Sequence, residues 1–303
     1  MNKTIRIGSR GSALALWQAN KVQSILTDKG FASEIIIIKT KGDNIQHLSF
    51  DKIEGKGFFT KEIEDALYAD RIDLAIHSCK DLETSDPEGL IIPAIFNRTE
   101  VRDTIVFKKE SWEKLQNGAL EKLHLGTSSA RRKSQLLRIY PGTTFKDIRG
   151  NVPTRLEKLT ADQELDGIVL AKAGYSRLGL DMSGFYCHTP EVEEFVPAAA
   201  QGALAIQCRE KDTELLAILE TINETSSSNG VVAERKLLAK FGGGCQKPTA
   251  IHVITDSESN NRVLISHSES AEMSGAYFEF NLPDLSDKSL DIAVSGVKKK
   301  MFS

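Results

Sequence analysis

Cysteine is scarce in this chain of 303 residues: there are four, at positions 79, 187, 208 and 245, and no two form a C-x-x-C pair. So wide a spacing argues against a disulfide framework and predicts a reduced, cytoplasmic protein. The six histidines are equally scattered, and none stands at ligand spacing from another histidine or a cysteine, so no metal site is expected. Long apolar runs are missing too. Ile35 to Ile38 is a buried-strand signal, and Ala13 to Trp17 gives way at once to Gln18, Asn20 and Lys21, which makes a helix face and not a secretion signal. A net charge of −3 speaks against a general binder of nucleic acid or anionic membrane. There is no Walker phosphate loop, and Gly8-Ser9-Arg10-Gly11 lacks the third glycine of a dinucleotide fingerprint. No internal repeat is visible, and low complexity is limited to Ser226-Ser227-Ser228.

Against this acidic background, five of the fourteen arginines fall between Arg131 and Arg155. Two groups stand out: Gly126-Thr127-Ser128-Ser129-Ala130-Arg131-Arg132, and Arg149-Gly150-Asn151-Val152-Pro153-Thr154-Arg155. Each mixes guanidinium with hydroxyl or amide groups where a strand hands over to a helix. Forked donors, short hydroxyls and the free N–H groups of a helix start together hold carboxylates or phosphates. Arg138 falls on the helix face beyond Ser129 and reads as a solvated residue.

The length implies two or three domains, and 40% hydrophobic with 27% charged residues is the composition of a globular protein. Strand and helix patterns alternate through the first half. Strands are expected near 4–8, 34–39 and 72–76, with helices after Ser12 and over 61–68. A second alternating unit begins near Arg102, with strands at 104–107, 123–126, 144–148 and 167–170 and helices at 130–139, 153–159 and 171–178. The strand at 203–208 could belong to either unit. From Asp212 the pattern changes to helices at 214–222 and 231–241 around a polar linker, 223–229. Three alternating strands and a last helix, 290–301, follow. The fold class is therefore α/β, two lobes with parallel strand pairs, plus a small α+β C-terminal domain. Every polar motif falls at a strand's carboxyl end, where open α/β sheets bind ligands, and this suggests a cleft between lobes.

His77-Ser78-Cys79-Lys80-Asp81 follows the third strand directly. Lys80 could neutralise an anion while Asp81 accepts protons or stabilises a developing cation. Alone, a Lys-Asp pair reads more readily as a solvated loop. Gly242-Gly243-Gly244-Cys245-Gln246 is more unusual. A single glycine would stop the preceding helix, whereas three let backbone approach a ligand and leave a thiolate uncrowded for attack on an electrophilic carbon. Residues 42–57, bracketed by Gly42-Asp43 and Gly55-Lys56-Gly57, read as a lid or as a plain connection. Cys79, Cys187 and Cys208 read as packing residues.

Taken together, these segments resemble the hydroxymethylbilane synthase, or porphobilinogen deaminase, family of tetrapyrrole biosynthesis. The resemblance runs from Ile7-Gly8-Ser9-Arg10 and Ala15-Leu16-Trp17-Gln18-Ala19 through His77–Asp81, Gly126–Arg132, Arg149–Arg155 and Gln201-Gly202-Ala203. It ends at Gly243-Gly244-Cys245-Gln246-Lys247-Pro248, and the last 50 or so residues carry no matching motif. The sequence departs from the family at Glu83, where proline is common, and at Ala130 and Ala200, where leucine and glycine are frequent; none of these changes removes a charged or nucleophilic group.

The resemblance implies two periplasmic-binding-protein-like lobes, 1–99 with 198–215 and 100–197, and a C-terminal α+β domain, 216–303. It implies a dipyrromethane cofactor held by a thioether to Cys245. Four porphobilinogen molecules would be joined head to tail with loss of ammonia, and water would release the linear tetrapyrrole. Asp81 matches the family's catalytic position. Cofactor carboxylates would be bound by Ser78, Lys80, Thr127, Ser128, Ser129, Arg131, Arg132, Arg149 and Arg155, and substrate by Arg10, Ser12, Gln18, Arg149 and Arg155. The expected partner is porphobilinogen alone, with no metal, nucleic acid or membrane, and a monomer. Two other readings stay open: a non-catalytic polycarboxylate-binding protein, and an RNA-binding protein using 131–155, disfavoured because few aromatics interleave with those arginines.

Overall fold

The computed structural model describes residues 4–40, 60–119, 121–243 and 248–301. Its chain divides into two units, Met1–Thr99 with Gly202–Asn229, and Glu100–Gln201 with Gly230–Ser303.

The first unit is built on a five-stranded sheet of order β2-β1-β3-β10-β4. Strand β1 (Ile5–Ser9) pairs in parallel with β2 (Ser33–Ile37) and β3 (Leu74–Ser78), while β10 (Leu204–Arg209) lies antiparallel between β3 and β4 (Leu90–Phe96). The strand whose place was open in the sequence thus completes the first sheet. Helix α1 (Ala13–Asp28) starts at Ser12, whose side chain accepts from Ala15 N–H, and it buries Ala19, Val22 and Leu26 in the core over β1, β2 and β3. Helix α2 (Lys61–Tyr68) covers the other face with Ile63, Ala66 and Leu67. Helix α7 (Thr213–Glu220) packs Leu215 and Leu219 into the first core. The return segment therefore runs beyond residue 215. One strand differs from its expected setting: β2 is an edge strand, and Ile37 is 55% exposed.

The second unit repeats this spatial arrangement with its antiparallel inner strand first in the chain instead of last. Its five-stranded sheet has the order β7-β6-β8-β5-β9. Strand β6 (His124–Gly126) is parallel to β7 (Thr144–Lys146) and β8 (Gly167–Ala171), and β5 (Asp103–Lys108) lies antiparallel between β8 and β9 (Phe185–His188). Helices α3 (Lys109–Gln116), α4 (Ala130–Ile139), α5 (Val152–Ala161) and α6 (Lys172–Arg177) connect them. The unit also holds a three-stranded antiparallel sheet, β11 (Thr249–Thr255), β12 (Asn261–His267) and β13 (Ala276–Leu282). Helix α8 (Thr225–Lys240) and α9 (Asp287–Met301) cover it, with Leu237, Ile251, Val263, Ile265, Leu290 and Val297 in the core between. Residues 225–229, read from sequence as linker, are the first turn of α8.

Candidate active site

One cluster of polar groups lies in the first unit. Strand β3 ends at Ser78 and passes into a 3-10 turn, Cys79–Asp81. Cys79 N–H donates to Ala203 O at 3.0 Å, and Leu82 N–H closes the turn on Cys79 O. Cys79 itself is fully buried, whereas Lys80 is half-buried and Asp81 exposed. An acid and a base thus leave the end of a parallel strand together, one able to reach solvent. Gln18 is 3% exposed, and its Nε2 donates to Ser78 Oγ at 2.8 Å. Arg10 is half-buried just past β1, and Ser12 spends its hydroxyl on the start of α1.

A second cluster lies in the second unit, at the carboxyl ends of β6 and β7. Ser129 is the residue before α4, with Thr127 Oγ1 accepting from its N–H and Ser128 Oγ donating to Ile148 O. Asn151 caps α5 by accepting from Thr154 N–H at 3.0 Å, and a proline occupies the first turn. Between Arg149 and that cap, Gly150 has a φ of +114°, and a Cβ there would stand 2.7 Å from Thr154 Cγ2. Only glycine turns the chain there without strain and lets the arginine precede a helix start. Arg155 folds back along its own helix, donating from Nε to Gly150 O at 2.8 Å. Arg149 and Arg155 are both half-buried.

Arg131 and Arg132 depart from the expected picture of open anion ligands. They are 6% and 7% exposed, and both pair with the buried carboxylate of Asp103, at 2.8 and 2.6 Å. Arg131 also donates to Val196 O and Arg132 to Val169 O. Their first task is structural: β5, β8 and the 195–196 segment are held to the start of α4. Two guanidinium groups sharing one carboxylate still leave this triad a formal +1, so the site end of α4 keeps a positive field. Arg138, read as solvated, donates to Glu194 O and lies over the Tyr277 ring.

Arg177, at the end of α6, escaped the sequence reading. Burial pulls its pKa down to about 10. Its only sequence signal was an arginine in the last turn of a short helix, a common place for one.

Cys245 and its neighbours 244–247 lie outside the described residues, as does the lid candidate 42–57. The approach to the thiol is described. Helix α8 ends with Gly242 N–H on Ala239 O and Gly243 N–H on Leu238 O, both at 2.9 Å. That pair of bonds is a Schellman stop, which needs one left-handed residue. Gly242 and Gly243 have φ values of 93° and 62°. The second glycine is thus surplus to the stop, and its backbone turn leads into residue 244. Among the described residues, no group of three or more His, Cys, Asp or Glu side chains could hold a metal ion.

Residues 5–217 match the family model described as "Porphobilinogen deaminase, dipyromethane cofactor binding domain". A porphobilinogen deaminase of Geobacter metallireducens is 43% identical over 253 residues, covering 82% of this chain and 77% of the relative. One from Bacillus subtilis is 42% identical over 263 residues, covering 85% and 81%. Among solved structures, the periplasmic VFT2 domain of Bordetella pertussis BvgS aligns at a TM-score of 0.43 with 15% identity, covering 72% of this chain and 86% of that one.

Proposed function

Since the chain belongs to the porphobilinogen deaminase family, we propose that Asp81 is its catalytic carboxylate and Cys245 the anchor of its cofactor. The activity is that of a hydroxymethylbilane synthase, a transferase. Four porphobilinogen molecules condense head to tail with loss of ammonia, and water releases the linear tetrapyrrole. When bound, the dipyrromethane supplies a primer whose terminal ring is nucleophilic.

The donor set fits such a group. Each pyrrole carries an acetate and a propionate, so the ligand is a ladder of carboxylates. The chain offers half-buried Arg149 and Arg155, and the hydroxyls of Thr127, Ser128 and Ser129 at a helix start. Arg131 and Arg132 contribute the residual positive charge of their triad with Asp103, and Lys80, Ser78 and Arg10 add donors in the first unit. Gln18 and Ser12 act through what they hold, Ser78 and the start of α1.

In each addition the aminomethyl carbon of porphobilinogen loses ammonia and bonds to the free α-carbon of the preceding ring. That carbon then gives up its proton. Positive charge develops on the incoming pyrrole as ammonia leaves, and Asp81 is the exposed carboxylate that meets it, accepting from the ring N–H and moving protons at the leaving amine and the new junction. The observation that carries this assignment is the exposed acid closing the 3-10 turn that follows β3, flanked by Lys80 and launched from a strand end held by Gln18. The same reading makes the protein a cytoplasmic monomer that binds porphobilinogen and neither nucleic acid nor membrane. Among the described residues no helix is long and apolar enough to cross a membrane.

Intact-mass measurement tests the anchor directly. Wild-type protein should carry a covalent adduct of two pyrrole units, and Cys245→Ser should lack it. A folded, active wild-type protein of unmodified mass would overturn the proposal.

A further inference from the structure

Three side chains of the first unit form a hydrogen-bonded line that the reaction itself does not use. His77 is the residue before Ser78 on β3, and alternation along a strand sends the two side chains to opposite faces of the sheet. On one face Gln18 of α1 grips Ser78. On the other, His77 Nε2 meets Gln207 Oε1 of β10 at 3.1 Å, and Gln207 Nε2 reaches Glu64 Oε1 of α2 at 3.4 Å. Gln207 is 1% exposed and His77 7%.

The chemistry of Glu64 fixes the direction of this line. An ionised carboxylate only accepts, so the amide NH2 of Gln207 faces it. Its carbonyl then faces His77, whose Nε2 must carry the hydrogen. Burial pushes His77 down to about 4, against a weaker opposing pull from Gln207, so the ring is neutral near pH 7. Burial likewise raises Glu64, with Glu83 adding to the effect and Gln207 and Thr60 opposing it.

We propose that His77, Gln207 and Glu64 are positioning residues for the reaction: they clamp the end of β3 from the face opposite Gln18, and so fix where the Cys79–Asp81 turn presents its carboxylate. The inference rests on the assignment of Asp81 as the catalytic group. Asp81 is joined to the clamp by the 3-10 turn. A rotation of the peptide between His77 and Ser78 would move its carboxylate, and a displacement of about 1 Å at a reacting centre can cost about 10²-fold in rate.

The test uses cofactor-loaded enzyme and compares breaking with conservative variants. Glu64→Ala removes the terminal acceptor and Glu64→Gln keeps one. His77→Leu removes the ring donor and His77→Gln keeps a donor at the Nε2 position. Clamping predicts kcat lowered about 5-fold by Glu64→Ala and about 10-fold or more by His77→Leu, with KM for porphobilinogen within about twofold of wild type. Both conservative variants should return kcat to within about twofold. Nitrogen-15 NMR of histidine should find wild-type His77 as the neutral Nε2–H tautomer, with the Nδ1–H form gaining population in Glu64→Ala. The proposal is overturned if Glu64→Ala and His77→Leu lower thermal stability while leaving kcat unchanged, if the conservative variants are as slow as the breaking ones, or if His77 is the Nδ1–H tautomer in wild type. Asp81→Asn serves as the control. Normal turnover in that variant would sink the catalytic assignment on its own account, whereas a deep loss there with no kinetic effect at Glu64 and His77 would sink the clamp alone.

Discussion

Asp103 carries more than its share of charge, because two arginines lean on one carboxylate with almost no solvent to help. Its side chain is fully buried, and both partners are within 3 Å. Removing its charge while keeping its shape, as in Asp103→Asn, leaves two desolvated guanidiniums around a neutral amide. Breaking a buried pair of this kind costs about 3–5 kcal/mol, which urea unfolding would read as a lowered midpoint with unchanged slope. Wild-type stability in that variant would mean that Arg131 and Arg132 find their counter-charge elsewhere. The arginines were visible in the sequence as a motif; the acid was not. Asp103 is the first residue of β5, far along the chain, and nothing in the composition around it marks it as a partner. Arg177 was invisible for a related reason, since its unusual character is desolvation, which belongs to packing.

Among the elements, strand–turn–helix handovers were legible wherever turn chemistry and apolar period agreed, as at Ser12 and Asn151, and β11 to β13 were legible from their alternation. Three elements were not. Strand β4 carries Pro93 in its middle, which reads against a strand; it is tolerated because β4 is an edge. Strand β9 is a short edge, and α3 buries only Ser111. The first turn of α8 looked like a polar linker because its serines and asparagine favour turns. In the folded chain Glu224 begins it, accepting from Asn97 N–H at 2.9 Å. Farther along α8, Glu234 is fully buried and accepts from Ala200 N–H, Val253 N–H and His252 Nδ1 at 2.7–2.9 Å. Ala200 has a φ of 63°, a conformation that costs a residue with a Cβ about 1–2 kcal/mol, and the bond to Glu234 helps hold it there. Glu234→Ala should therefore lower stability by about 3 kcal/mol or more, since it strands buried donors on β11 and at Ala200 at once. Thermal unfolding measures this, and a loss under about 1 kcal/mol would show that water replaces the carboxylate.

For the molecule as a whole, buried His77 ties stability to pH. Its pKa falls from 6.5 to about 4 on folding, so between those values the unfolded chain binds a proton that the folded one refuses. Stability from this source is complete above pH 6.5 and drains away as the pH drops toward 4, by about 3 kcal/mol across the window. Urea unfolding of wild type and His77→Gln at both ends of that range should show the wild-type curve shifting with pH and the variant shifting less by about that amount. Equal shifts would place the sensitivity in other groups. The two alternating units were legible as a pattern; their shared spatial arrangement, three parallel strands with an antiparallel one inserted before the far edge, was not, because the inserted strand comes last in the first unit and first in the second.

That order has a bearing on biogenesis. The second five-stranded sheet is drawn from one unbroken stretch, Asp103 to His188, but the first is split by the insertion of Leu204–Arg209 between strands that left the ribosome more than a hundred residues earlier. The amino-terminal segment must therefore wait, with an open seam in its middle, while the half translated after it already has every strand it needs.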